Sequence, residues 1–264
     1  GYTAYQIARM SYAFISGFIN LDKPLGMSSA FAVDRAKKQL RKIKKDFKIG
    51  HAGTLDPLAS GVLVLAVGEA TKLVSFAQDA PKAYRFTATW GEERNTDDGE
   101  GVAVATSDKR PTLAEIEAIL PEFVGEIEQV PPAFSALKIQ GRRAYDLARA
   151  GETVDLAPRR VVIERLELVS RPDADHADFV VGCGKGTYIR SLGRDLALAL
   201  GTVGHLSMLR GNMLRTCGVL ALTAVLTGVS GHDLLTVEHR HPGAGQSYPQ
   251  QLPGQRPGHR VVLV

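Results

Sequence analysis

Cysteine is nearly missing from this chain: Cys183 and Cys217 are the only two in 264 residues. Two isolated thiols offer no disulfide framework, which favours a reducing compartment, and a cytoplasmic location is expected. They also lack the ligand spacing of a zinc site. Long apolar runs are absent as well. None approaches the roughly 20 residues of a membrane span, so no membrane partner is expected. Gly1 to Phe18 holds one arginine and broken apolar stretches, a poor match to a signal peptide. No internal repeat is evident. Hydrophobic residues still make up 44%, enough for a core, and the length suits one large domain or a domain with a small appendage. The formal net charge of +4 is mild support for a polyanionic partner.

Nucleotide-binding signatures are also lacking. Gly184-Lys185-Gly186-Thr187 invites comparison with a phosphate-binding loop, but that motif needs a glycine where Phe179 stands. A dinucleotide fingerprint counted from Gly184 and Gly186 fails at Ile189, where the third glycine belongs.

What the chain does hold is a run of small and turn-forming residues around one acid. Gly50 to Leu63 reads Gly-His-Ala-Gly-Thr-Leu-Asp-Pro-Leu-Ala-Ser-Gly-Val-Leu. Pro57 fixes its own φ and pushes Asp56 out of the α region. Gly50, Gly53 and Gly61 permit positive φ or close backbone approach. Val62 to Val67 reads as a buried strand. On spacing alone an ordinary turn is favoured, with the aspartate bonding its own backbone. Loops that lead into core strands are also where chemistry tends to sit.

Around this stretch the pattern is mixed. Gly17 to Asp22 alternates as a strand, then Lys23-Pro24-Leu25-Gly26-Met27-Ser28-Ser29 forms a loop ending in a serine helix cap. Ala32, Ala36, Leu40, Ile43 and Phe47 recur at spacings of four and three and predict one helix reaching Phe47. Arg35, Lys37, Lys38, Arg41, Lys42, Lys44, Lys45 and Lys48 crowd its remaining surface. A solvated face and a phosphate-contacting surface are both open readings. Alternation predicts strands over Lys82 to Trp90, Gly125 to Val130, Arg160 to Val169 and from Asp178 onward. Glu69 to Ala80 and Thr112 to Leu120 read as helices, and Arg94 to Gly101 as a polar loop.

Four separated segments resemble one family in the right order. His51 to Gly61 is similar to the active-site motif of the TruB family of tRNA pseudouridine synthases, a match of about a dozen near-contiguous residues. Lys23-Pro24-Leu25-Gly26-Met27-Ser28-Ser29 resembles its first motif, which supports the active-site loop. Pro131-Pro132-Ala133-Phe134-Ser135-Ala136-Leu137-Lys138, running on through Gly141, Arg142, Tyr145 and Arg149, resembles the family's RNA-holding insertion. Its cations interleave with Tyr145, a mix suited to phosphate pairing and base stacking. Lys185-Gly186-Thr187-Tyr188-Ile189-Arg190-Ser191-Leu192 resembles a third motif on a strand leading into a helix, and Gly201 to Arg210 continues it. The resemblance covers Gly17 to about Arg210. It implies an N-terminal extension over residues 1–16, with Met10 a candidate initiator, and a catalytic domain over 17–210. Residues 211–264 read as a divergent tail, truncated or frame-shifted, without an evident PUA-like module and poorly ordered beyond about residue 240.

The resemblance implies an α+β pseudouridine-synthase fold: a mixed, largely antiparallel central sheet, flanking helices and the RNA-holding insertion. It implies conversion of uridine to pseudouridine at the fifty-fifth position of tRNA, in the T loop, without cofactor or metal. The target base must be flipped out and held. Asp56 is then the catalytic residue, acting ionised as a nucleophile or to stabilise positive charge at C1′, Arg190 the cation that keeps it ionised, and Tyr188 a candidate for proton removal at C5 or a wall of the pocket. Tyr84 stacks on the base and Leu209 packs on its other side. His51 assists flipping, and Lys185 serves a phosphate or the pocket fold. Lys138, Arg142 and Tyr145 hold RNA, together with Lys37, Lys38 and Lys42 of the basic helix. Lys23, Pro24 and Gly53 support the motif. The partner is the T arm of tRNA, bound by a monomer with no protein partner implied. The competing expectation keeps the fold and loses the reaction: a tRNA-binding or tRNA-folding protein with impaired catalysis.

Overall fold

Apolar alternation sets the strands, and the structure builds them into two units. The computed structural model describes residues 16–42, 45–135, 137–139, 141–152, 154, 156–213, 221–227 and 234–239. One unit spans Gly1–Gln78 and Arg215–Val264; the other spans Asp79–Leu214.

In the first unit β1 (Gly17–Lys23) leads through the Pro24–Ser28 loop into α1 (Ser29–Leu40). The Ser28 side chain caps α1 by accepting the Phe31 N–H, as its position predicts. Ala32, Ala36 and Leu40 form the buried stripe of α1. β2 (Ile49–His51) and β1 both pair antiparallel with β3 (Ala59–Val67). Leu63, Leu65, Ala66 and Val67 of β3 are buried, so this strand anchors the loop before it. A 3-10 turn, Gly68–Leu73, and α2 (Val74–Asp79) follow.

The second unit carries β4 (Lys82–Trp90), a hairpin of β5 (Glu92–Arg94) and β6 (Ala103–Thr106), α3 (Leu113–Ile119) and β7 (Gly125–Gln129). Then come the short pair β8 (Lys138–Ile139) and β9 (Arg142–Arg143), α4 (Ala144–Arg149), β10 (Arg159–Ser170), β11 (His176–Cys183), α5 (Ile189–Ala199) and β12 (Gly204–Met213). The sheet runs β12–β4–β11–β10–β7 with every pairing antiparallel. Phe86 stacks on Phe179 at 5.1 Å between ring centroids, and Trp90 meets Phe179 edge-on. Burying each such ring contributes about 1.5–3 kcal/mol. α5 lies on the face that carries Leu206, and a Cβ at Gly193 would stand 2.6 Å from the Leu206 side chain. Leu206 is fully buried and cannot give way, so glycine at 193 sets how closely helix meets sheet.

β13 (Ala221–Thr227) returns to the first unit, parallel to β1, and β14 (Leu234–His239) pairs antiparallel with β13. The β1–β13 pairing makes that sheet mixed.

Two expected helices change: Glu69 to Ala80 divides into the 3-10 turn Gly68–Leu73 and α2 (Val74–Asp79), and the basic helix shortens. The basic helix ends at Leu40 rather than near Phe47, and Arg41 is its C-cap. Arg41 stands three or four residues from Lys37 and Lys38 of the last turn, and Lys42 four from Lys38, and like charges at that spacing disfavour further turns. Ile43 and Lys44 lie outside the described residues. The polar loop from Arg94 is the turn of the β5–β6 hairpin, organised by Arg94 donating to the carbonyls of Gly99 and Gly101. The expected extension before Ser16 and the expected disorder beyond residue 240 also lie outside the described residues.

Candidate active site

The loop bearing Asp56 is fixed from beneath by α1. Ser29, 3% exposed, donates its hydroxyl to the Leu55 carbonyl at 2.7 Å and accepts the Leu55 N–H at 2.9 Å. Gly26 N–H donates to the Pro57 carbonyl at 2.8 Å. The residues on both sides of Asp56 are therefore tied to the Pro24–Ser29 segment, and Ala59 N–H closes a turn on the Asp56 carbonyl. Lys23 is fully buried and donates to the carbonyls of Pro24 and Met27. Its ammonium thus holds the first-motif loop in shape. Asp56 itself is half-buried. The His51 ring bonds the Gly53 carbonyl through Nδ1. Gly53 has φ +128 with open space around it, so backbone conformation, not crowding, requires glycine there.

A second cluster forms in the other unit at the start of α5. Arg190 is 5% exposed and donates to the carbonyls of Thr96 and Phe134, both at 2.9 Å. Its guanidinium also lies 3.6 Å from the Asp98 carboxylate. Asp98 is held in turn by the Thr96 hydroxyl and the Glu100 N–H. Arg194, one turn on, pairs with Asp97 at 2.8 Å, with Asp195, and with the Val130 carbonyl. Asp97 sits at φ 59, a region tolerated by aspartate. Burial pushes its carboxyl up to about 6, against the opposing pull of Arg194 and Arg190. Asp195 is also raised by burial, with Arg194 opposing. Asp97, Asp98, Thr96 and Arg194 escape a sequence reading. The Asp97-Asp98-Gly99 triplet marks a turn but gives no sign that arginines nearly a hundred positions on will bury it.

Strand register places two more expected residues. Tyr84 lies opposite Gly211, and Leu209 lies opposite Phe86, so Tyr84 and Leu209 are diagonal neighbours on one face of the sheet. Tyr84 is half-buried and Leu209 buried. Tyr188 is the N-cap residue of α5, two positions before Arg190 in the chain.

The remaining expected residues are spread out. Lys185 pairs with Asp79 on the surface at 2.9 Å, with 71% of its side chain exposed, and is not drawn into the Arg190 cluster. Arg142 makes a two-pronged pair with Glu152. Tyr145 is half-buried, its N–H bonded to the Ser135 carbonyl. The Lys138 side chain lies outside the described residues. Lys38 pairs with Asp34 on α1, Lys37 is half-buried and Lys42 is exposed just past the helix. The Cys183 thiol is pushed up to about 11 by burial, which keeps it protonated and inert at neutral pH. Among the described residues, no three His, Cys, Asp or Glu side chains group as metal ligands, and no helix is long and apolar enough to cross a membrane.

A family model described as the N-terminal domain of TruB family pseudouridylate synthase matches residues 38–189, more than half of the chain. The chain belongs to the TruB family. As a TruB-family chain it is 59% identical over 196 residues to tRNA pseudouridine synthase B of Brucella melitensis, covering 74% of this chain and 59% of that one. It is 55% identical over 204 residues to the protein of the same name from Bradyrhizobium diazoefficiens, covering 77% and 58%. The chain thus spans about three-fifths of the length of the curated relatives it matches. Among solved structures, a chain of a Cbf5-Nop10-Gar1 complex aligns with TM-score 0.56 and 32% identity over 77% of this chain and 50% of that one. The TruB-family fold is α+β, in agreement with the sheets and flanking helices described above.

Proposed function

We propose that this chain isomerises uridine to pseudouridine in tRNA, with Asp56 as the catalytic residue and the T-loop uridine at the fifty-fifth position as target. The observation that carries the reading is the double anchoring of the Asp56 loop. Ser29 and Gly26 tie down the residues before and after the acid. Preorganisation of this kind is what a nucleophile, or a stabiliser of positive charge at C1′, requires. The curated relatives carry the name tRNA pseudouridine synthase B, which supports the substrate class.

The other roles follow within the proposal. Arg190 is assigned as the cation partner of Asp56, by its match to the arginine of the family motif. Tyr84 offers its ring to the flipped base and Leu209 bounds the opposite side. Tyr188 removes the C5 proton or walls the pocket, and His51 assists flipping. Lys138, Arg142 and Tyr145 contact the T arm, and Lys37, Lys38 and Lys42 meet its phosphates. Lys185 serves a phosphate or the pocket fold. No cofactor is needed, because the reaction breaks and reforms bonds within one nucleotide. A cytoplasmic monomer without a protein partner completes the proposal.

The test is tritium release from uridine labelled at C5 in a T-arm stem-loop, using the chain as it stands. Release that depends on the target uridine supports the proposal. Binding without release overturns it in favour of a tRNA-binding role on the same fold.

A further inference from the structure

We propose that Gln129 is a positioning residue, acting through Tyr188 and Arg190; this rests on the function proposed above. Gln129 closes β7, pairs in register with Arg159 on β10, and is 2% exposed. Its Oε1 accepts the Tyr188 N–H at 2.8 Å. Tyr188 is the N-cap of α5, extended at φ −100 and ψ 112, and supplies no capping side chain of its own. The entry to the helix is held from outside instead.

The stretch after Gln129 is moulded onto the same helical turn. The Val130 carbonyl accepts from the Ser191 hydroxyl and from Arg194, and the Phe134 carbonyl accepts from Arg190. Those acceptors are main-chain oxygens, which any residue type supplies. At position 129 the acceptor is a side chain, so residue type decides whether the Tyr188 N–H is met. The same stretch continues into the insertion: Ser135 and Leu137 carbonyls accept the N–H groups of Tyr145 and Ala144. Gln129 therefore anchors a short path that runs from the insertion to the guanidinium of Arg190.

The choice of glutamine is costly for the fold, which is why a positioning role fits it. Its Nε2 is buried with no hydrogen-bond partner among the described residues. A buried donor left unmet destabilises the folded state. An apolar group of the same length would remove that unmet donor but leave the Tyr188 N–H unmet in its place. What glutamine adds over such a group is the neutral acceptor on Tyr188.

Two variants separate position from stability. Gln129→Met keeps the length and removes the acceptor; Gln129→Glu keeps an acceptor and buries a charge. Turnover is read by tritium release at saturating T-arm stem-loop, RNA affinity by fluorescence anisotropy, and stability by thermal melting, all on the full chain. Gln129→Met should lower kcat by about 10- to 100-fold, the scale expected when reacting groups are displaced, while RNA affinity stays close to the parent and Tm changes little, because loss of the unmet Nε2 offsets the newly unmet Tyr188 N–H. Gln129→Glu should keep most of the parent kcat despite a lower Tm. If kcat instead follows Tm, falling for Glu and holding for Met, the inference is overturned. Amide hydrogen exchange at Tyr188 reads the anchor without catalysis: slow in the parent and in the Glu variant, fast in the Met variant. An inactive parent with this exchange pattern would strike the proposed function and leave the anchor standing. Unchanged exchange in Gln129→Met would strike the anchor itself.

Discussion

Ser29 and Leu55 hold each other through two hydrogen bonds, the Ser29 hydroxyl donating to the Leu55 carbonyl and accepting its N–H. A helix-start hydroxyl thereby fixes the residue immediately before Asp56. Ser29→Ala should leave both Leu55 main-chain groups buried without that partner. Each unmet group costs about 1–3 kcal/mol. Urea unfolding should show a loss on that scale, and turnover should fall with RNA affinity unchanged. Parent-like stability and turnover would show that the loop is held by other means.

Asp97 gives the chain a stability profile with a definite sign. Its carboxyl stands at about 6 in the fold, against 3.8 for the free side chain, mainly because it is buried. The folded chain therefore binds this proton more tightly than the unfolded chain. The contribution is fully present below about pH 4 and is lost as pH rises through about 6. Asp97→Asn removes the titration and tolerates the positive φ. The difference in unfolding free energy between parent and variant should shift by up to about 3 kcal/mol across that window. A difference that stays constant with pH would contradict burial as the dominant influence on Asp97.

Tyr84 is proposed to contribute a ring face. Tyr84→Phe keeps that face and should retain substantial turnover. Tyr84→Leu should lose about 1–3 kcal/mol of binding to the flipped base. Steady-state kinetics on the stem-loop decides it, and equal losses in Phe and Leu would point to the hydroxyl instead.

The cations at the end of α1 are tested by salt. Neutralising Lys37, Lys38 and Lys42 should weaken binding to all stem-loops alike. The salt slope should fall by about 0.7–0.9 for each phosphate that the protein no longer neutralises. An unchanged slope would return this surface to a solvated role.

Much of the fold is legible in the sequence because it depends on local patterning. The β3 strand and the alternation over Lys82 to Trp90 both stand where their apolar residues put them. The Thr112–Glu115 capping box at the start of α3 is local too. The end of α1 is not legible, because the apolar spacing continues past Leu40 although the helix closes at the Arg41 C-cap. The Asp97–Asp98 pair reads as a polar loop for a similar reason. Aspartates are usually solvated, and here burial comes from Arg190 and Arg194, distant in sequence. Ser29 reads as part of a helix cap; its grip on Leu55 depends on how the Asp56 loop folds back.

The most direct measurement is tritium release by Asp56→Asn alongside its affinity for the same T-arm stem-loop. The amide keeps the shape and removes the charge. Release should be abolished while RNA affinity stays within a few-fold of the parent. Release at a rate comparable to the parent would contradict the assignment of Asp56 as the catalytic residue.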